Sequence, residues 1–493
     1  MRAGWVFAAL AGLAAACSVG TESTALDRLE PCLSDEGPAD AYCGRYEVFE
    51  DREAGVGRTI SLKVVVLPAL GSEARPDPVF FLAGGPGAGA AAMAPTLDRM
   101  LSRLRRQRDV VLVDQRGTGD SGRLDCEFFD EDDPPPADLR VPKEKVDECL
   151  SELDADPTLY TTPVAMDDLD EVRAWLGYDR INLIGGSYGT RAALVYLRRH
   201  EDRVRTVVLD GVAPPDMRLP LWFPRDMERA LEKLVSDCDA DAACSARFPD
   251  FGADVERLLA RLEAGTVRVA VDDPAMGELN EVPLGRDLAV SILAGALYSP
   301  WVTSIAPVVV EKALEGDYLP LLEFGSMNEE MAGMIAQGMF LSVTCSEDFP
   351  RYSPDEVAVA SEGTFLGTTV YESRWGPCEF WPRTEMPDAF YEPVESDKPV
   401  LILSGDLDPV TPPSWGEQTA ETLPNSRALV ALGVGHGVMP VGCAMRLVDE
   451  FLDSEDAASL DAECLQKLER PSFFVSKTGP VALPDEADRE DAP

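Results

Sequence analysis

Six short runs, each almost wholly apolar and each ending in a turn, recur along the chain: "PVFFLAGGPGAG", "DVVLVDQRGTGDSG", "INLIGGSYG", "VRTVVLDGVAPP", "KPVLILSGDLDPVTP" and "SRALVALGVGHG". Runs this short without polar alternation read as strands buried on both faces. Between the first three, "LDRMLSRLRR" and "MDDLDEVRAWLGY" space their apolar residues as amphipathic helices do. Strands alternating with helices specify an α/β fold, a mostly parallel sheet wrapped on both faces. Ahead of it, "YEVFED" and "RTISLKVVVLPAL" alternate as a hairpin entering the sheet would.

The alternation breaks at about residue 216 and resumes at about 396. The stretch 216–395 carries helix-like segments such as "RDMERALEKLVSDC" and "GADVERLLARLEAG", and reads as a mostly helical insertion capping the strand ends. The expected organisation is therefore a core in two parts, 45–215 and 396–476, divided by that cap. A linker, 17–44, precedes it, and an acidic, proline-bearing tail, 477–493, is expected to be disordered. With 493 residues and 45% hydrophobic content the chain can bury a large core.

The balance of 44 basic against 88 acidic residues, a net charge of −44, repels nucleic acid and anionic lipid alike. Residues 1–16 hold Arg2, an apolar run and then small residues, the layout of a secretory signal. "LAAAC" resembles a bacterial lipobox, with Ala14 where Leu is usual; it would place a lipid on Cys17, the one expected route to a membrane. Of eleven cysteines, setting Cys17 aside leaves an even number, and in an exported chain an even set implies disulfides. Sequence neighbours, such as Cys32 with Cys43 and Cys238 with Cys244, are the default pairing. No Cys/His cluster has zinc-ligand spacing, so no metal is expected.

"GGSYG" holds Ser187 at the corner between the strand Ile181–Ile184 and a helix, with Gly185 and Gly189 removing side chains that would clash there. Gly-x-Ser-x-Gly arises by chance in roughly one chain in six of this length, so its setting and company carry the weight. A serine at such a corner becomes a nucleophile only beside a base. The chain has two histidines. His200 ends the helix leading away from Ser187 and reads as a surface residue. His436, on the glycine-flanked loop of "GVGHG", follows a buried strand and reads as the base. In "GDLDPVTP" Asp408, on a turn stiffened by Pro409, is preferred over Asp406 as the carboxylate that orients the imidazole, with Asp210 a distant third. Backbone donors for a developing oxyanion are expected from Tyr188 and from Gly85, with Gly84 in reserve, since Pro86 has no N–H. The glycine loop lacks a Walker lysine and dinucleotide spacing, and no cofactor is expected.

In this order, "GGPG", "DQRGTGDSG", "GGSYGT", "GDLDPVTP" and "GVGHG" resemble the alpha/beta-hydrolase peptidases of the proline iminopeptidase and tripeptidyl aminopeptidase type, over about residues 45–475. The resemblance implies the alpha/beta-hydrolase fold with an inserted helical cap, Ser187 as nucleophile, Asp408 as acid and His436 as base, and peptide substrates cut from the amino end through an acyl-enzyme. Ala83 stands where proline iminopeptidases often carry His, which tilts the likeness toward the secreted tripeptidyl aminopeptidases. It also implies acidic cap residues beside the substrate's α-ammonium, for which Glu347 and Asp348 in "SVTCSEDFP" are the candidates. A triad by itself leaves open an esterase or amidase, and the fold leaves open an inactive envelope binding protein.

Overall fold

The computed structural model describes residues 25–32, 40–72, 74–129, 136–272, 279–326 and 333–480. Cys17, the leader and most of the tail lie outside them. The main sheet contains β1 (Glu30–Pro31), β2 (Tyr42–Phe49), β3 (Thr59–Leu67), β4 (Val79–Leu82), β5 (Val110–Val113), β6 (Ile181–Gly186) and β7 (Val204–Asp210). After β8 (Val267–Asp272) and β9 (Leu279–Leu284), which pair only with each other, it is completed by β10 (Val400–Gly405) and β11 (Ser426–Ala431).

The spatial order is β1-β2-β3-β5-β4-β6-β7-β10-β11. The hairpin β2–β3 and the β3–β5 pair are antiparallel, and every pairing from β5 through β4, β6, β7 and β10 to β11 is parallel. β4, β5 and β10 are buried at every position. The strand period of two explains why. Phe80, Leu82, Val111 and Leu183 pack under the helices Thr162–Leu176 and Tyr188–Arg199, through Leu169, Val172, Ala193 and Tyr196. Val79, Phe81, Leu112 and Ile184 pack on the other face against Leu97 and, from the helix Ala444–Ser454, Leu447, Val448 and Phe451.

The polypeptide between β7 and β10 carries the helices Phe223–Ala240, Phe251–Glu263, Arg286–Ala296, Ala306–Glu315 and Gln337–Glu347. Its core, including Leu234, Leu258, Val290, Val310 and Trp375, is separate from those of the sheet faces. The β8–β9 hairpin within it departs from the helical reading: "VRVAVD" alternates as a strand does.

Five disulfides join Cys32–Cys43, Cys126–Cys149, Cys238–Cys244, Cys345–Cys378 and Cys443–Cys464, all sequence neighbours among the cysteines. Among the described residues no helix is long and apolar enough to cross a membrane.

Candidate active site

The parallel strands β4, β6, β7 and β10 are adjacent, so the turns at their C-terminal ends share one edge of the sheet, the usual place for a site in such sheets. Gly84 follows β4, Ser187 follows β6, Gly211 follows β7, Asp408 follows β10, and His436 follows β11.

Ser187 links β6 to the helix Tyr188–Arg199 with φ 55° and ψ −126°, a conformation that side-chain-bearing residues rarely adopt. It persists because the corner is overdetermined. The Ser187 N–H donates to the Asp210 carbonyl at 2.9 Å and the Ser187 carbonyl accepts the Thr190 N–H at 2.9 Å. A Cβ on Gly189 would fall onto the Leu82 carbonyl, and one on Gly185 onto the Gly189 carbonyl. The helix therefore approaches the sheet only with glycine at both positions.

The His436 Nδ1 lies 2.7 Å from Asp408 Oδ2. Asp408 is wholly buried and fully engaged. Its Oδ1 accepts the Val410 and Thr411 N–H groups at 2.9 and 2.8 Å, and its Oδ2 accepts the Thr411 hydroxyl at 2.8 Å. That hydroxyl is also 3.1 Å from His436 Nδ1. Burial alone would raise the Asp408 pKa, but His436 and these donors hold it below its ordinary value. Burial likewise pulls His436 down, and the Asp408 carboxylate, with help from Asp210, outweighs it and raises the imidazole pKa.

Asp210 joins the serine corner to the histidine loop. Its carbonyl takes the Ser187 N–H, while its carboxylate accepts the Val438 N–H at 2.8 and 2.9 Å and the Met439 N–H at 2.9 Å. Its neighbour Gly211 lies under the imidazole, where a Cβ would sit 3.2 Å from His436 Cε1 and 3.0 Å from Thr411 Oγ1. Ser187 and His436 are thus held to one two-residue segment at the end of β7. Burial pushes the Asp210 pKa up to about 6 against those backbone donors. Asp210 braces the site rather than bonding the imidazole, and Asp406 is not bonded to it either; the Asp406 carbonyl accepts from Arg229 at 3.0 Å.

The glycine loop after β4 borders Ser187 directly: a Cβ on Gly84 would lie 3.0 Å from Ser187 Cβ. Gly85 has φ 111°. The loop is braced from below by Asp114 of "DQRGTGDSG", which accepts the Ala91 N–H at 2.8 Å and the Asp120 N–H at 2.9 Å. From above, the Ala336 N–H donates to the Gly87 carbonyl at 3.0 Å. Tyr188 is the first residue of its helix, so its N–H belongs to the set without an intrahelical acceptor. Its side chain is buried, with its hydroxyl 2.6 Å from Thr162 Oγ1.

The inserted region closes over the histidine. Tyr298, in the turn after Arg286–Ala296, accepts the His436 N–H through its carbonyl at 2.9 Å. Its ring meets the imidazole edge to face, centroids 5.2 Å apart. Thr411 and Tyr298 escaped the sequence reading, and Asp210, considered there only as a third choice for the acid, instead braces the site. Only the Thr in "DPVTP", three residues after the acid, carried a local signal.

Two expectations fare differently. His200 caps the far end of its helix, about 18 Å along the axis from Ser187, and bonds Asp167 at 3.0 Å. Glu347 and Asp348, expected to hold a substrate ammonium, are corrected by their surroundings. Both are fully buried. Glu347 accepts the Thr162 N–H at 2.6 Å and the Thr162 hydroxyl at 2.9 Å, and burial pushes its pKa up to about 7 against Arg191 and these donors. Asp348 takes Arg191 in a two-pronged pair at 2.8 and 3.1 Å and the Leu219 N–H at 3.0 Å. Their lone pairs are spent inside the protein, Glu347's on Thr162 at the start of the helix Thr162–Leu176 and Asp348's on Arg191 of the helix after Ser187 and on Leu219. Asp348→Asn is expected to cost about 3–5 kcal/mol by stranding the buried Arg191 charge. Denaturant unfolding reads that loss, and kinetics should show equal effects on free-amine and N-blocked substrates; a selective loss on free amines would restore the ammonium role.

Comparison with known proteins agrees with this geometry. The family described as alpha/beta hydrolase fold matches residues 77–263, and that described as TAP-like protein matches residues 363–464. The tripeptidyl aminopeptidase of Streptomyces coelicolor is 24% identical over 475 residues, covering 88% of this chain and 85% of that protein. Serine protease Hip1 of Mycobacterium tuberculosis is 26% identical over 483 residues, covering 88% and 90%. The proline iminopeptidase of Aeromonas sobria is 30% identical over 194 residues, 39% of this chain and 40% of its own. With the sheet order, the strand-end site and both family matches in agreement, the chain has the alpha/beta-hydrolase fold, is similar to the tripeptidyl aminopeptidases and proline iminopeptidases, and is a serine hydrolase.

Proposed function

We propose that this chain is an exported aminopeptidase that releases residues or short peptides from peptide N-termini through an acyl-enzyme. The observation that carries the reading is the buried Asp408–His436 pair, held with Ser187 to the Asp210–Gly211 segment. Ser187 Oγ attacks the scissile carbonyl while His436 Nε2 takes its proton. Asp408 keeps the other ring nitrogen protonated and stabilises the imidazolium. The N–H groups of Tyr188 and Gly85 receive the oxyanion, with about 100-fold to 1,000-fold in rate resting on each donor. The imidazolium then returns its proton to the leaving amine, and water, activated by the same imidazole, releases the acyl group. A peptide substrate is supported by the relatives that match most of the chain, a tripeptidyl aminopeptidase and a serine protease. Five disulfides support export, since such bonds persist in oxidising compartments. A lipid on Cys17 is the proposed attachment, to be read from the intact mass of the mature protein.

The test pairs chemistry with specificity. A fluorophosphonate should label Ser187, and free-amine peptide anilides should turn over at least tenfold faster than their N-blocked counterparts. Turnover of nitrophenyl esters alone would assign an esterase, and a folded protein that takes no label would assign a binding module.

A further inference from the structure

The helix Gln337–Glu347 belongs to the inserted region, yet every residue from Gly338 to Glu347 is buried. Helical spacing divides its apolar residues between two cores. Met339 and Val343, with Ala336 just before them, pack in the core that holds Tyr188 and Ala192 of the helix after Ser187. Phe340, Leu341 and Cys345 pack in the core of the inserted region. The hydroxyls are satisfied within the helix, since Ser342 and Thr344 each donate to the carbonyl four residues earlier at 2.8 Å. A helix wedged between two close-packed cores transmits displacement rather than absorbing it.

Each end of this helix grips a segment that bears one of the two oxyanion donors. At its start the Ala336 N–H donates to the Gly87 carbonyl at 3.0 Å, two residues beyond Gly85, and Ile335 pairs with Ala88 in an antiparallel bridge. Glycine at 87 permits the approach, since a Cβ there would lie 2.8 Å from the Ala336 carbonyl oxygen.

At the other end, about 15 Å along the axis, Glu347 reaches Tyr188 through one intermediary. Its carboxylate accepts the Thr162 N–H at 2.6 Å and the Thr162 hydroxyl at 2.9 Å, and the Thr162 oxygen lies 2.6 Å from the Tyr188 hydroxyl. An ionised carboxylate only accepts, so the single Thr162 proton goes to Glu347 and the Tyr188 O–H donates to Thr162. All three side chains are buried, where such a relay is stronger than in water. Beside it Asp348 holds Arg191, one turn further along the helix from Tyr188, at 2.8 and 3.1 Å.

We propose that the helix Gln337–Glu347 sets the spacing of the two oxyanion donors, and that Thr162, backed by Glu347, is a positioning residue that acts through the Tyr188 side chain. The inference rests on the acyl-enzyme reading above, from which it takes Tyr188 and Gly85 as donors. Those donors stand on turns after two different strands, and each works only within about 2.7–3.1 Å of the developing charge. Their separation therefore has to be held by something that bonds to both segments.

Thr162→Val keeps the branched shape and the backbone N–H but removes the hydroxyl between Tyr188 and Glu347, and Thr162→Ser keeps that hydroxyl. Turnover of a free-amine peptide anilide is measured above the pH of about 7 to which burial pushes the Glu347 pKa, and is divided by the active sites counted with a fluorophosphonate. Per titrated site, Thr162→Val is expected to lose about tenfold to 100-fold in kcat with KM within about threefold, and Thr162→Ser to retain wild-type turnover within about threefold. Inhibition by a peptide boronic acid, whose tetrahedral adduct on Ser187 places an oxygen between the same donors, should weaken in step with kcat. Tyr188→Phe breaks the relay at its other end and keeps the backbone N–H; it should lose as much as Thr162→Val, and the double variant no more than either. A merely structural role would lower the number of active sites and leave kcat per site alone. Should Thr162→Val fail to fold, Tyr188→Phe decides. An unchanged kcat per site, losses that multiply in the double variant, boronate affinity that holds while kcat falls, or a serine variant no better than valine each overturns the proposal. The peptidase reading is scored separately. A wild-type protein that turns over nitrophenyl esters but no peptide anilide sinks that reading, and the same comparison run on the ester still decides the spacing; a protein that takes no fluorophosphonate overturns both.

Discussion

Ser187→Gly is expected to abolish turnover and to stabilise the fold in the same stroke. The two effects have one origin. At φ 55° and ψ −126° a residue with a side chain carries strain of about 1–3 kcal/mol, maintained because the corner lifts the hydroxyl off the sheet. Glycine adopts the same angles without that penalty. It returns about 0.5–1 kcal/mol as extra freedom of the unfolded chain, so the net gain is about 1 kcal/mol. Ser187→Ala separates the two effects: it loses the nucleophile equally but keeps the Cβ, so its stability should match the wild type within about 0.5 kcal/mol. Both variants should lose about 10⁶-fold in kcat. Active-site titration with a fluorophosphonate and denaturant unfolding read the two quantities independently. An alanine variant with undiminished turnover would remove Ser187 from the chemistry, and a glycine variant less stable than alanine would remove the strain.

The fold and its site were legible in the sequence to different depths, for physical reasons that particular residues expose. Strands such as Val79–Leu82 and Val400–Gly405 are apolar throughout because helices cover both faces, and that signal is local. The turns bearing Ser187, Asp408 and His436 were legible for the same reason: glycine or proline at a fixed offset is a backbone requirement written next to the residue it serves. Arg191 illustrates the opposite case. It neutralises Asp348 across 157 residues, and nothing near "SVTCSED" announces a partner, so two acids spent on an internal ion pair looked free to meet a substrate. Tyr298 was invisible likewise, because its contact with His436 depends on how the inserted helices come to rest over the sheet edge. The β8–β9 hairpin was locally written in "VRVAVD" but lost among helical neighbours.

Asp408→Asn should lower kcat by about 10⁴-fold at its best pH and shift the acid limb of the remaining activity to lower pH. The imidazole acts as a base only when neutral, so activity rises as His436 loses its proton. In the wild-type protein that loss lies above the ordinary 6.5, because the Asp408 carboxylate outweighs burial. Asparagine removes the charge and keeps the burial, so the imidazole pKa falls, checked in part by the remaining Asp210 carboxylate. The rate falls as well, since an amide in place of the carboxylate 2.7 Å from Nδ1 can hold the ring in the wrong tautomer. Stability supplies an independent check whose sign follows from the same shifts. The raised pKa of His436 means that its contribution is complete below 6.5 and is lost as pH rises through the folded value. The lowered pKa of Asp408 means that its contribution is present above 3.8 and is lost as pH falls through its folded value. The ion pair therefore stabilises the wild type most between pH 3.8 and 6.5, and the gap in melting temperature from Asp408→Asn should be widest there and narrow on either side. Asp210 titrates near 6 in the wild-type protein. It is present in both proteins, so most of its own titration cancels in the difference. A pH–rate profile with an unmoved acid limb, together with a gap in melting temperature that does not vary with pH, would mean that His436 and Asp408 are neighbours without being electrostatic partners, and the proposed base would have to be sought elsewhere.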